Sequence, residues 1–206
     1  MAKTQLGLNP WLCIWIKPRQ TIRLLVEYNV NYRFLAICAI LGFWQMLWFF
    51  PFLPLHKNVA LFAFLPIFLL ISMIVEYLFF NLFAACIFWC GKLIKGAGKF
   101  KKIRAAIYWT SVPNIVVAIL SMVMFLLIVN KEMLSTSTTI ILLRVAIISQ
   151  IVLGIWTFVI RLQALGEVQK FSAWMALLNL FLVVLALLIV TLVIRWSILE
   201  MTPTTA

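Results

Sequence analysis

Long stretches without a single charged residue, separated by short clusters of lysine and arginine, constrain this chain more than any other feature. Residues 34–56, 105–130 and 171–194 contain no Asp, Glu, Lys or Arg. A helix needs roughly 20 apolar residues to cross about 30 Å of hydrocarbon, so each stretch can span a bilayer. The chain is 66% hydrophobic and 11% charged, far below the ~25% charged residues of soluble domains. These features predict an all-α integral membrane bundle.

The predicted membrane domain covers residues 34–196 and contains five transmembrane helices. Two of the spans have to enclose an ionisable residue, Glu76 in the second and Arg144 in the fourth. The second span is too long for one helix perpendicular to the membrane, and Pro66 is expected either to kink it or to split off an interfacial piece. The predicted spans are residues 34–54, 59–90, 109–129, 138–161 and 174–196.

Positive charge is sorted into alternate loops of this five-span arrangement. Residues 1–33 and 91–104 carry two basic clusters, whereas the loops on the opposite side carry only Lys57 and Lys131. Lys and Arg accumulate on the cytoplasmic side of membrane proteins. The pattern therefore predicts a cytosolic amino-terminal segment over residues 1–33 and a short extracytosolic tail over residues 197–206.

The net charge of +12 follows from this topology and does not predict nucleic-acid binding. Basic residues near the inner leaflet attract anionic headgroups by about 1 kcal/mol each, so anionic membrane lipids are the expected partners. The glycines at positions 96 and 98 could let backbone N–H groups approach a phosphate, although glycines among lysines also describe an ordinary flexible loop. Headgroup contacts are predicted for Lys95, Lys99, Lys101, Lys102 and Arg104.

The stretch before the first span is predicted to form an amphipathic helix at the membrane interface. Pro18 suits the first turn of a helix, after which Arg19 and Arg23 lie on one face and apolar residues on another. Tryptophan rings favour the headgroup level. Two interpretations stay open, a docking or lipid-sensing element and an anchor that only orients the first span. The residues predicted for interfacial or partner docking are Asn9, Pro10, Trp11, Trp15, Pro18, Arg19 and Arg23.

Glu76 and Arg144 are the two charged residues placed inside predicted spans, away from the span ends. Ionisable residues within a membrane are functional-site candidates by default, and both are expected in the outer half of the bilayer, where they could pair. Polar groups on neighbouring helices could extend the pair into a network. A structural clamp, an ion or proton pathway and a polar groove for headgroups are the alternatives.

Several short motifs resemble the bacterial branch of the Yip family of Ypt/Rab-interacting membrane proteins. The resemblance implies a five-span bundle with a cytosolic amino terminus, and hence a bacterial inner membrane as the location. Eukaryotic members are associated with Rab GTPases and use a longer cytosolic amino-terminal region, so the resemblance does not imply Rab binding here. The motifs are Asn9-Pro10-Trp11, Ile14-Trp15, Pro18-Arg19, Thr21-Ile22-Arg23, the loop 91–100, Tyr108, Pro113 and the segment 165–174.

The sequence contains no catalytic or metal-binding constellation. Asp is absent, His56 is the only histidine, and there is no activated-serine elbow. Cys86 and Cys90 share a predicted helix face, where palmitoylation or a soft metal is the alternative to simple packing. We therefore expect no enzymatic activity, no cofactor and no bound metal.

The function that these patterns favour is a non-enzymatic membrane-organising or protein-interaction module, acting through the cytosolic amino-terminal segment and the basic loop. A protein partner on the cytosolic face and a homo-oligomer are both compatible with this interpretation. The alternative is a small transporter, channel or lipid-scrambling module that uses Glu76 and Arg144.

Overall fold

The computed structural model describes the backbone of residues 7–49, 61–129 and 136–201, and side chains within residues 7–45, 66–123 and 137–197. In these ranges every regular element is an α-helix. The helices are α1 (Pro10–Ile16), α2 (Pro18–Tyr28), α3 (Phe34–Phe49), α4 (Leu61–Leu93), α5 (Phe100–Thr110), α6 (Pro113–Val129), α7 (Thr136–Gln169) and α8 (Ala173–Met201).

Four helical segments of the described chain are long and apolar enough to cross a membrane, and α3 contributes a shorter apolar segment, Phe34–Gln45. The all-helical fold class is confirmed at this level. α4 runs through Pro66 as one helix, so the proline does not split it. The membrane-length segments are Pro66–Leu93, Phe100–Val123, Ser137–Gln169 and Ala173–Ser197.

The connection after α4 is shorter than the sequence predicts. Residues 91–104 are predicted to be a loop, yet α4 continues to Leu93 and α5 begins at Phe100. α5 is buried from Ile103 to Thr110, which explains why a lysine-rich start does not prevent helix formation here. Burial of an apolar face against neighbouring helices stabilises a helix more than intrinsic propensity does.

α4 and α7 end in the same way. Lys95 and Lys170 adopt left-handed backbone conformations, with φ of 64° and 60°. The Gly96 N–H then donates to the Gly91 carbonyl at 2.7 Å, and the Phe171 N–H donates to the Gly166 carbonyl at 2.8 Å. These bonds are the long hydrogen bonds of a Schellman cap, which satisfies carbonyls at a helix end.

The two capped ends are joined to each other, because the Ala97 N–H donates to the Gln169 carbonyl at 3.2 Å. α1 and α2 pack at this same end of the bundle, where α2 contacts α5 and α7. We call this region the loop end and define it as residues 9–33, 91–102 and 165–174. The opposite end of the bundle is called the far end.

The core lies toward the loop end of the described chain. Tyr108 and Trp109 of α5 are its largest fully buried side chains. The rings of Phe34, Phe80 and Tyr108 pack there with centroids 4.8 to 6.4 Å apart. In contrast, α8 is exposed on all its described positions beyond Val183, as expected of a surface that lipid covers.

Close packing of α3 on α4 depends on Gly42. A Cβ atom at this position would lie 2.5 Å from the Ser72 carbonyl oxygen, which is backbone and cannot rotate away. Small residues allow such close approach of helices in membranes. Gly154 in α7, in contrast, has nothing within 4 Å of its Cβ position.

We expect Gly42→Ala to destabilise the protein by about 1–3 kcal/mol, since overpacking forces backbone shifts. The matched control is Gly154→Ala, which should be neutral or raise the stability by up to about 1 kcal/mol through helix propensity. Thermal unfolding in nanodiscs measures both changes. Equal melting temperatures for the two variants would contradict the close contact between α3 and α4.

Candidate functional site

The loop end presents a group of exposed cations, which we call the basic collar. Exposed large apolar side chains occur on the same elements, among them Leu12, Ile16, Trp89, Leu93 and Trp174. Basic residues next to apolar and aromatic side chains are typical of surfaces that meet the headgroup region. The basic collar consists of Lys17, Arg19, Lys92, Lys95, Lys99, Lys101 and Lys170.

The residues of the amino-terminal motif form two short helices, α1 and α2. Asn9 caps α1 by accepting a hydrogen bond from the Trp11 N–H at 3.1 Å, and the buried prolines Pro10 and Pro18 occupy the first positions of α1 and α2. The Trp11 ring meets the Trp109 ring edge-on, with 5.4 Å between centroids. The motif therefore has a structural use inside the fold.

The apolar side of α2 is covered by protein. Thr21, Ile22 and Leu25 are buried, and the helix packs against α5 and α7. On α1, by contrast, Leu12 and Ile16 stay exposed, and Trp15 is half-buried. The exposed apolar surface of the amino-terminal segment is thus supplied by α1, whereas the sequence pattern assigned this role to α2.

The two arginines predicted for docking have different surroundings. The Arg23 Nε donates to Glu167 Oε1 at 2.9 Å, and Lys170 Nζ lies 3.2 Å from the same oxygen. The hydrogen bond that Arg23 donates to Glu167, together with the negative charge of that carboxylate, raises the pKa of Arg23. Arg19 is exposed, and its Nη2 lies 3.6 Å from the position that a Cβ atom would take on Gly166. Arg23 therefore ties α2 to the end of α7, whereas Arg19 is exposed beside Gly166 of α7 and has no ion pair among the described side chains.

The glycine-containing loop between α4 and α5 rests on Gln169. This side chain is 1% exposed, and it lies against Gly91, Gly96 and Gly98, where added Cβ atoms would collide with it. The loop is therefore fixed from beneath, and its glycines serve close packing. Its lysines project outward from this fixed backbone, since Lys95, Lys99 and Lys101 are exposed and Lys102 is half-buried.

Arg104 differs from these lysines because it is buried, at 9% exposure. Its Nη1 donates to Asn81 Oδ1 at 2.8 Å, and its Nη2 donates to Asn31 Oδ1 at 2.6 Å. The guanidinium carbon lies 4.6 Å from the centroid of the Phe34 ring. Arg104 thus links α4, α5 and the segment before α3, and the structure directs it inward, away from headgroups.

Glu76 and Arg144 are not brought together by the structure. Glu76 is 3% exposed and accepts a hydrogen bond from Gln45 Nε2 at 2.7 Å, whereas Arg144 is exposed on α7. Within the described side chains, both ion pairs involve Glu167. In the same ranges no three His, Cys, Asp or Glu side chains are placed to hold a metal ion.

The contact between Glu167 and Arg23 is not predicted by the sequence alone. Glu167 stands 144 positions from Arg23, and no local pattern predicts so distant a pair. One signal was present, because the segment 165–174 holds one carboxylate, Glu167, and one basic residue, Lys170.

Several long apolar helices with capped ends at one side define a multi-pass helical membrane protein. The family model described as the Yip1 domain matches residues 12–194 of the 206 residues, and the chain belongs to this family. The resemblance stated from the sequence motifs is confirmed at the family level. Searches among curated proteins and among solved structures gave no match.

We expect Arg104→Met to lower the free energy of unfolding by about 1–3 kcal/mol, because it removes two charge-assisted hydrogen bonds. The matched control is Lys101→Met on the same helix, an exposed substitution whose expected effect is within about 0.5 kcal/mol. Thermal unfolding and limited proteolysis in nanodiscs measure both. If the two variants were equally stable, the clamp role of Arg104 would be wrong.

The Arg23 and Glu167 pair is expected to couple α2 to α7. In a double-mutant cycle, Arg23→Gln and Glu167→Gln should be non-additive in their effect on cleavage of the amino-terminal segment by protease. Because Arg23 is exposed, the coupling should shrink as salt is raised. Arg195→Gln combined with Glu167→Gln is the control and should be additive, because Arg195 lies on α8 away from the loop end. Additive behaviour of the first pair at low salt would contradict the contact.

Proposed function

We propose that this protein is a non-enzymatic membrane-organising module whose loop end faces the cytosol and binds anionic lipid headgroups through the basic collar. The observation that carries the proposal is the placement of the exposed cations beside exposed Leu12, Ile16, Leu93 and Trp174. Apolar groups enter the interface while cations stay at phosphate level. Each basic residue near an anionic surface adds about 1 kcal/mol of attraction.

A five-span topology is part of the proposal. α3 leaves the loop end and α4 returns to it, so α3 would be the first span. The remaining spans would be α4, α5 with α6, α7 and α8. The excess of Lys and Arg at the loop end supports its cytosolic placement, and the chain would then end outside the cytosol.

A protein partner on the cytosolic face would meet the outward side of α1 and α2. α2 is packed against α5 and α7 on its apolar side, so the side available to a partner is the polar one with Arg19. Transport through Glu76 and Arg144 is a weaker proposal, because within the described side chains Glu76 pairs with Gln45 and no ion pair with Arg144 supports a shared pathway.

The test compares lipid retention in nanodiscs made from phosphatidylcholine alone and from phosphatidylcholine with phosphatidylglycerol. The variant Lys95→Gln/Lys99→Gln/Lys101→Gln removes three collar charges. We expect it to lose the preference for phosphatidylglycerol that the parent protein shows in mass spectrometry of retained lipids, since the attraction is about 1 kcal/mol per charge. Affinity capture of the same samples detects a protein partner.

The matched control neutralises two exposed arginines away from the loop end, Arg144→Gln/Arg195→Gln. This control should keep the phosphatidylglycerol preference. Loss of preference in the control but not in the collar variant would contradict the proposal. A stoichiometric protein partner that disappears with Arg19→Ala would favour the protein-interaction form of the function over the lipid form.

A further inference from the structure

A line of polar side chains runs along the contact between α6 and α7, inside segments long enough to span a membrane. The Arg161 Nη2 donates to Ser111 Oγ at 3.3 Å, and the Gln150 Nε2 donates to Ser121 Oγ at 3.0 Å. The two bonds fix the antiparallel register of the helices. We call this line the polar seam and define it as Ser111, Asn114, Ser121, Gln150, Thr157 and Arg161.

Two polar side chains in the middle of the polar seam have no hydrogen-bond partner among the described residues. Arg161 pairs with Ser111, and Gln150 pairs with Ser121. In this antiparallel register Thr157 lies opposite Asn114 or its neighbour. Thr157 is 5% exposed, and its hydroxyl has no hydrogen-bond partner. The Asn114 carboxamide, half-buried, also forms no hydrogen bond within the described residues. Buried polar groups without partners are costly in hydrocarbon.

The positive charge of Arg161 is not paired with a carboxylate among the described side chains. The hydrogen bond from Arg161 to Ser111 is long and goes to a neutral hydroxyl, the guanidinium lies 5.9 Å from the Phe83 ring centroid, and the Nε atom is buried without a partner. The ion pairs among the described side chains both belong to Glu167. A cation at membrane depth without an anion is expensive, so an anion is the missing component.

The depth of the polar seam in the membrane indicates which kind of anion can bind there. At 1.5 Å per residue, Arg161 lies about 12 Å, and Thr157 about 18 Å, from the end of α7 at Gln169. α7 has 34 residues and is about 51 Å long, so it extends beyond the ~30 Å hydrocarbon core. Arg161 therefore stands near the boundary between headgroups and hydrocarbon, and Thr157 stands deeper.

We infer that the polar seam binds one phospholipid. Its phosphodiester accepts hydrogen bonds from the Arg161 guanidinium, and an ester carbonyl accepts from the half-buried Asn114 amide. The acyl chains run over exposed apolar side chains such as Ile119 and Phe158. A phosphodiester is present in zwitterionic and anionic lipids alike, so this site needs no net negative headgroup, and the inference goes beyond binding by the basic collar.

The test uses the full chain in phosphatidylcholine nanodiscs that contain a photoreactive phosphatidylcholine with a diazirine on the acyl chain next to the ester. After irradiation, labelled peptides are located by mass spectrometry. We expect labelling to concentrate on α6 and α7. Arg161→Gln should lower it about tenfold or more, as expected for the loss of hydrogen bonds to a charged group, and Asn114→Leu should lower it by a smaller factor.

The matched control is Arg144→Gln, which removes an exposed arginine from the same helix and should leave labelling unchanged. The collar variant Lys95→Gln/Lys99→Gln/Lys101→Gln should also leave it unchanged, which separates this site from the proposed function. Should Arg161→Gln fail to fold, as judged by thermal unfolding, Asn114→Leu decides the question, because it keeps the charge of Arg161.

Two results would overturn the inference. Labelling that is equal in the parent and in the Arg161→Gln and Asn114→Leu variants would mean that the polar seam is a structural hydrogen-bond line only. Displacement of the photoreactive lipid by excess glycerophosphocholine, which has no acyl chains, would mean that the site takes free phosphodiesters and not a membrane lipid. Retention of the label under that competition supports the lipid assignment.

Discussion

The burial of α5 at the loop end is the interaction on which the rest of this structure depends. Arg104 bonds to Asn81 on α4 and to Asn31 before α3. The Tyr108 hydroxyl donates to the Val30 and Tyr32 carbonyls at 2.9 and 3.2 Å, and Trp109 meets the ring of Trp11. One short helix therefore connects the amino-terminal segment with the membrane helices, and Pro10 and Pro18 fix where α1 and α2 begin.

The same packing explains why the charges of the loop end divide into two groups. Arg104, and Arg23 with Glu167, stabilise contacts between elements, whereas the lysines of the glycine-containing loop point outward from a backbone that Gln169 supports. A charge that is hydrogen-bonded inside the fold costs stability when it is removed. An exposed charge contributes little to folding and stays available for headgroups.

Membrane solvation accounts for the contrast between the two ends of the bundle. In hydrocarbon, helices gain no hydrophobic advantage from packing together, so polar contacts and close approach decide where they associate. Gly42 against Ser72, Glu76 with Gln45, Asn179 with the Ile87 carbonyl, and the polar seam are examples among the described side chains. Beyond Val183, the described part of α8 exposes its side chains on all sides, and lipid chains solvate apolar side chains as well as protein does.

The sequence by itself determined that the chain is a helical membrane protein, because hydropathy and charge sorting act locally and need no contact map, and its short motifs carried the resemblance to the Yip family. The tertiary structure decided which charged residues face inward. Arg104 and Lys101 stand three positions apart in one basic cluster, and their different burial arises only when α5 packs against α3 and α4. Likewise, the partner of Arg23 and the register of α6 on α7 depend on contacts between residues distant in sequence, for which a single sequence carries no local signal.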